Sequence, residues 1–336
     1  MFKDSILNIS FGQGAGNIGQ LMEQQGMLNL AINTSKQDLD TLNVKHKYLI
    51  KNGQGCGKDR NKSKRLVVND FENILTVINN FLDSNTIKHI FIGFTMGGGS
   101  GSGGGPMLAK LIANEYPNIN VCIYAVIPSK SEPFKAQYNA CECYRELIRL
   151  DNLGSMFFLD NNKLDNKFII NRYFVDDLIA FLKVPDEDKS SKGNIDIEEM
   201  NTILSCNLMA NIKITDENNN RIKDSVLVNI ERDGFVKYIA ISNAKQNLLN
   251  DVQSSVGYPM DAFYTFNNRK INIVVLAGLS LPSSTMNEIF DLVNERSSRI
   301  TKENTAKEFK LNDIFSSKTK KEEPKRSRKD IFSEFM

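Results

Sequence analysis

Between Gly93 and Pro106 the chain reads GFTMGGGSGSGGGP, with seven glycines and two serines in residues 97–105. An apolar run, IKHIFIGF (87–94), precedes the stretch, and a helical pattern, PMLAKLIANE (106–115), follows it with Pro106 suited to a first turn. Glycine lets the backbone approach a ligand closely and adopt positive φ. A strand-to-helix turn offers backbone N–H groups and the positive end of a helix. A flexible linker has no reason to sit between a buried strand and its helix. The run therefore reads as a phosphate cradle, with the hydroxyls of Ser100 and Ser102 as further donors. A second loop, FGQGAGNIG (11–19), has the same setting, and Gly14, Gly16 and Gly19 satisfy G-x-G-x-x-G. Alone, that spacing suggests a nicotinamide-dependent oxidoreductase. The strand that should then end on an acid, in LNLAINTS, ends on Asn33. NGQGCGKD (52–59) nearly matches G-x-x-x-x-G-K-[ST], but it starts on Asn52 and Asp59 follows its lysine.

These loops need a frame. Apolar runs at 6–11, 28–32, 87–94, 121–128 and 155–160 alternate with helical patterns at 16–27, 71–82, 106–115, 136–150 and 168–184. Near-continuous apolar strands alternating with helices predict a parallel sheet covered on both faces. A helix near 197–209 and strands at SVLVNIER, KYIAIS and KINIVVLAGL predict a smaller α+β unit. SSTMNEIFDLVNERSSRITKENTAKEFK (283–310) is a long helical pattern that Ser283 or Ser284 could cap. The expected fold class is α/β: a Rossmann-like parallel-sheet nucleotide domain (1–165), a central helix and following loop (166–209), an α+β domain (210–282), a C-terminal helix (283–312) and a basic tail (313–336).

Composition narrows the class. The chain has 336 residues, 41% hydrophobic and 24% charged, with a net charge of +2, which provides no global basic field for nucleic acid. The five cysteines are scattered and odd in number, so neither a disulfide framework nor a zinc site is expected, and no metal ligand set is assigned. No stretch approaches a membrane span and no leader is evident, so a cytoplasmic protein is expected. Residues 318–329 hold seven basic residues against two acids and predict a disordered tail. Direct DNA binding through that tail is a rival reading, weaker than a solvated charge run. DIFSS (313–317) recurs as DIFSE (330–334), by chance or as a repeated docking motif.

In order, these segments resemble the tubulin/FtsZ family of GTPases. GGGSGSGGGP resembles its G-G-G-T-G-[ST]-G signature, with Ser100 for the usual threonine. FGQGAGN is similar to its first phosphate loop, and NGQGCG lies where its third loop falls. AINTS resembles A-[VI]-N-T-D with Ser35 for the acid. PFKAQ (133–137) resembles its sugar-contacting loop, and LDNNKL resembles I-P-N-D-K-L with Asn162 for aspartate. NIDIEEMNTIL (194–204) resembles N-V-D-F-A-D-V. The resemblance implies GTP/GDP and Mg²⁺ as ligands. It places Gly12, Gln13, Gly14, Gly16 and Asn17 against phosphate and base, and Gly97, Gly98, Gly99, Ser100, Gly101, Ser102 and Gly103 around the β- and γ-phosphates. Asn33, Pro128 and Glu132 join the nucleotide contacts, and Asn161 and Asn171 face ribose and guanine. For Asn171 a helix cap is the plain alternative.

The family assembles head to tail, and the resemblance implies that Asp196 and Glu199, in the 194–199 loop, complete hydrolysis on the next subunit. The same spacing is also a capping box, and the two roles are compatible. A basic tail resembles the TubZ branch, which moves plasmid or phage DNA through a DNA-bound adaptor. A phage spindle tubulin (PhuZ-like) or an FtsZ-like division GTPase is the alternative. The terminal Ile331, Phe332, Phe335 and Met336 could serve self-docking.

Overall fold

The computed structural model describes residues 1–303 apart from 192, 221, 224, 233 and 245–247. The tail and the repeated DIFS motif lie outside the described residues. A short 3-10 turn leads into β1 (Ile6–Phe11), α1 (Gln13–Gln24), β2 (Leu28–Asn33), α2 (Lys36–Asp40), β3 (His46–Leu49), α3 (Arg60–Asn69) and α4 (Phe71–Ser84). Then come β4 (His89–Thr95), α5 (Ser100–Glu115), β5 (Asn120–Ile127), α6 (Phe134–Leu147), β6 (Ser155–Asp160) and the central helix α7 (Lys167–Leu182). After α8 (Val184–Glu187) and the hairpin β7 (Lys189–Ser190) and β8 (Gly193–Asn194) follow α9 (Ile197–Ser205), β9 (Leu208–Asp216) and β10 (Tyr238–Asn243). The described chain closes with α10 (Leu249–Val256), β11 (Asp261–Phe266), β12 (Ile271–Leu279) and α11 (Ser283–Glu303).

Ten strands form one sheet in the order β11-β10-β12-β9-β6-β5-β4-β1-β2-β3, and the run from β6 to β3 is all parallel. β1 is buried at every residue, as are β6 and nearly all of β5, because helices cover both faces. One core lies between the sheet and α3, α4, α5, α6 and α11, and the other joins α1, α7 and α9 to the opposite face. Strand order reverses between β1 and β4, and such switch points open a crevice beyond the carboxyl ends of the strands.

β9 meets β6 over only two pairs, Ser155 with Leu208 and Met156 with Met209, and then runs antiparallel to β12. We read that narrow seam as the junction between the nucleotide domain and the α+β domain. The divergence explains one departure from expectation. SVLVNIER is not a strand of the sheet: once β9 has left β6, Leu227 makes a lone bridge to Leu159. Val228 donates to Phe158 O and Asp160 to Val226 O on that exposed edge. The helix expected to 209 ends at Ser205, and residues 208–216 form β9. At the start of α11 neither serine caps its own helix. The Ser284 N–H is bonded by Glu231 Oε1, and Ser283 Oγ donates to Leu281 O.

Candidate functional site

α1 and α5 both begin in the crevice between β1 and β4. Gly12 caps α1 with φ 84°, a left-handed conformation open to glycine at little cost. A β-carbon there would lie 3.3 Å from the amide nitrogen of Gly101, so the two glycine loops touch. The turns close with Gly16 N–H on Gly12 O and Gly103 N–H on Gly99 O. Amides ahead of these points have no helical acceptor, and two positive helix ends converge.

The glycine stretch is not one long turn. α5 begins at Ser100, so Pro106 stands inside the helix rather than in its first turn. The later glycines serve packing. A β-carbon on Gly103 would come within 2.2 Å of the Arg60 carbonyl oxygen, so only glycine lets α5 lie this close to α3. A proline within a helix leaves the carbonyl four residues back without its donor. Here that carbonyl is Ser102 O, and buried Arg60 supplies both Nε (3.3 Å) and Nη2 (2.9 Å) to it. Glu146 fixes Arg60 at 2.7 Å and also pairs with Lys64.

The serine hydroxyls are likewise committed to the fold. Ser100 Oγ shares a 2.7 Å hydrogen bond with Thr34 Oγ1, and Ser102 Oγ donates to Gly98 O. Both hydroxyls brace the loop, and if Thr34 is the donor the Ser100 hydroxyl keeps its proton for a further acceptor.

A pocket of about 290 Å³ opens from these helix starts. It gathers Gly14, Asn17, Gly97, Gly98, Pro128, Glu132, Asn161 and Asn171 from the expected set. Gly12, Gly16, Gly99, Ser100, Gly101, Ser102 and Gly103 are not among the lining residues. Gln13 reaches sideways to Thr41 Oγ1 (2.9 Å). Asn33 is fully buried and turned away, accepting from Ser35 N–H and donating to Asp38, so the structure does not bring it to the pocket. Asn171 is no cap: Asn166 accepts from Phe168 N–H at the helix start, and Asn171 lies within α7, 8% exposed. Asn161 Oδ1 is buried and has no hydrogen-bond partner among the described residues.

Lys58, Lys167 and Phe168 also line the pocket and were not among the expected residues. Lys58 comes from the near-miss NGQGCGKD. Asn139 holds its loop against the cradle, donating to Lys58 O (3.1 Å) and Gly98 O (2.9 Å). Phe168 lies three residues before Asn171, on the same helix face, and keeps its ring 70% exposed. The spacing 167, 168, 171 was the available signal. Glu132, the acid of the lining, is tied to Lys167 Nζ (2.7 Å) and Ser129 N–H (3.2 Å). The pocket thus pairs amides and a lysine at one end with carboxamides and a free aromatic face at the other. That arrangement fits a phosphorylated purine nucleoside.

Asp196 and Glu199 lie elsewhere. They form a reciprocal capping box on α9, with Glu199 N–H on Asp196 Oδ1 (2.9 Å) and Asp196 N–H on Glu199 Oε2 (3.0 Å). α9 is anchored at the amino ends of the strands. His89, the first residue of β4, bonds Asn201 (2.9 Å), and Asn120, the first of β5, bonds Leu204 O (2.9 Å). The pocket touches Thr95, at the other end of β4. Six residue steps of strand separate the two ends by roughly 20 Å. Burial raises the Glu199 pKa first of all, with the negative charges of Asp196 and Asp261 adding to it.

Among the described residues no helix is long and apolar enough to cross a membrane, and no three His, Cys, Asp or Glu cluster to hold a metal. Residues 5–168 match the model of the tubulin/FtsZ family, GTPase domain. The tubulin-like protein TubZ of Clostridium botulinum C phage is 32% identical over 305 residues, covering 86% of this chain and 84% of the relative. The tail-truncated form of Clostridium botulinum phage c-st TubZ superposes with a TM-score of 0.79 at 28% identity, covering 89% of this chain and 100% of that one. A GTPγS-form protofilament of Bacillus thuringiensis serovar israelensis TubZ shares the fold, with a TM-score of 0.74 at 13% identity over 89% of this chain and 94% of that one.

Proposed function

The chain belongs to the tubulin/FtsZ family and is a GTPase related to TubZ, and we propose that it hydrolyses GTP only when its own copies stack head to tail. One observation carries this reading: Asp196 and Glu199 stand at the opposite end of the sheet from the pocket. A strand length of roughly 20 Å lies between the two ends, which puts the acids out of reach of their own nucleotide. In a translational stack the amino-end face of one subunit lies over the carboxyl-end crevice of the next, so the acids of one copy meet the γ-phosphate of its neighbour. Such a heterologous contact does not close on itself and builds filaments.

The residue roles follow. The amides at Gly97, Gly98 and the start of α1 take the phosphates, with Lys58 beside them. Phe168 stacks on the base while Asn161 and Asn171 bond ribose and guanine. Mg²⁺, when bound, neutralises charge developing on the phosphates. Glu132 is already paired, so the ion would sit on phosphate oxygens and water rather than on protein carboxylates. Asp196 and Glu199 orient the attacking water, and the raised pKa of Glu199 suits a proton acceptor.

We further propose that the filament moves plasmid or phage DNA in the cytoplasm through a DNA-bound adaptor that engages the C-terminal tail. The TubZ relative and the basic residues 318–329 support that cargo. All five cysteines are free, as in a reducing compartment. The test is sedimentation with coupled phosphate release at a series of protein concentrations. GTP-dependent pelleting, with turnover per chain rising steeply with concentration, is expected. Turnover per chain that is flat with concentration would sink the inter-subunit site.

A further inference from the structure

Arg296, on α11, is remote in sequence from every residue lining the pocket. It nevertheless grips the pocket's rim, donating Nη1–H to Glu132 O and Nη2–H to Lys130 O, both at 2.8 Å. The segment gripped, between β5 and α6, carries Pro128 and Glu132 into the lining. Within the segment, buried Gln137 donates Nε2–H to Ser129 O (2.5 Å), a tie local to the start of α6. Lys130 Nζ pairs with Glu288 of α11 and Glu132 with Lys167, both pairs largely exposed at the lysine; such pairs contribute little. Lys130 N–H also bonds Asn162 Oδ1 at 2.7 Å. The guanidinium fork is the tie that reaches the segment's main chain from α11: a half-buried, charge-assisted, two-point clasp on backbone carbonyls.

α11 is in turn seated on α6, with the Phe290 ring 5.4 Å from the Arg145 guanidinium and edge-on to Tyr144. The C-terminal helix is thus joined to the nucleotide pocket by a clasp separable from its own packing.

We infer that Arg296 is a positioning residue of the nucleotide pocket, and that α11 acts through it as a lever on nucleotide affinity. This rests on reading the pocket as the GTP site. Coupling free energies are reciprocal. Bound nucleotide should therefore steady α11, and anything that draws the Arg296 guanidinium off the rim should alter nucleotide release. The same tie would let a tail-bound partner report on, or bias, the nucleotide state.

The full-length chain is titrated with a fluorescent GDP analogue below its assembly concentration, alongside thermal melting without nucleotide. Arg296→Ala is expected to weaken GDP about tenfold, equivalent to about 1.4 kcal/mol. Phe290→Ala, which loosens α11 without touching the clasp, should lower the melting temperature and leave affinity within about twofold. Equal affinity for Arg296→Ala and wild type overturns the inference, as does a parallel loss in both variants. Hydrogen exchange on the wild-type chain covers the case in which a variant fails to fold. GDP should slow exchange in residues 286–299, and no change there also overturns the inference. Failure of the wild type to bind GDP at all would instead refute the pocket.

Discussion

Replacing Glu199 by glutamine separates its two roles. Glutamine keeps an oxygen that can accept from Asp196 N–H at the present 3.0 Å, and capping boxes use Gln as well as Glu. The lost charge costs about 0.3–1 kcal/mol of helix-dipole stabilisation. Relief of repulsion from Asp196 and Asp261 offsets part of that. The fold should therefore survive with a stability change below about 1 kcal/mol. Asp196→Ala, by contrast, removes the cap itself and should cost about 0.5–2 kcal/mol. If Glu199 accepts the proton of the attacking water, Glu199→Gln loses about 10²- to 10⁴-fold in phosphate release. GTP binding and pelleting persist, because the pocket lies at the far end of the sheet. The wild-type rate should fall as pH drops through the raised Glu199 pKa, and the residual rate of the variant should not follow it. The assay is phosphate release from pelleted polymer across pH, with urea unfolding in parallel. Hydrolysis within about threefold of wild type, in polymer of equal mass, would refute the catalytic role and leave Glu199 a cap.

Three further outcomes follow from the packing. Gly103→Ala places a methyl group against the Arg60 backbone, which cannot swing aside as a side chain could; urea unfolding should show a loss of about 1–3 kcal/mol and weakened GTP binding. Arg60→Met leaves Ser102 O without its donor inside the proline-interrupted turn, at a cost of about 1–3 kcal/mol in the same assay; Arg60→Met as stable as wild type would contradict the clasp. His89 is buried and its pKa is lowered, chiefly by desolvation. Neutral His89 is thus the folded form, and its contribution is complete above the ordinary value of about 6.5. Stability should decline as pH falls from there through the lowered value, and His89→Gln should flatten that limb in melting curves from pH 7 to pH 5.

Much of this molecule was legible along the chain because its cues are local. An apolar strand, a glycine-rich turn and a helix in sequence define a phosphate loop wherever they occur, and two such loops fixed the doubly covered parallel sheet and its crevice. Asp196-x-x-Glu199 announced a capping box for the same reason: its hydrogen bonds span three residues. What depended on partners distant in sequence, or on the exact path of a loop, was invisible. Ser100 meets Thr34, 66 positions before it, and Ser102 turns its hydroxyl back to Gly98 O, neither of which the glycine-serine spacing announces. Asn33 closed its strand as expected, but the Ser35–Asp38 turn holds its side chain away from the pocket. Pro106 became an interior helix residue because Arg60, 42 positions before Ser102, satisfies the carbonyl it frees. Lys58 and Arg296 reach the pocket from loops and helices that no spacing rule connects to it. Local chemistry thus determined which backbone could hold a nucleotide. Which side chains face it, and on which end of the subunit the acids stand, was decided by long-range packing, since only the folded sheet sets a side chain's direction and its distance from the site.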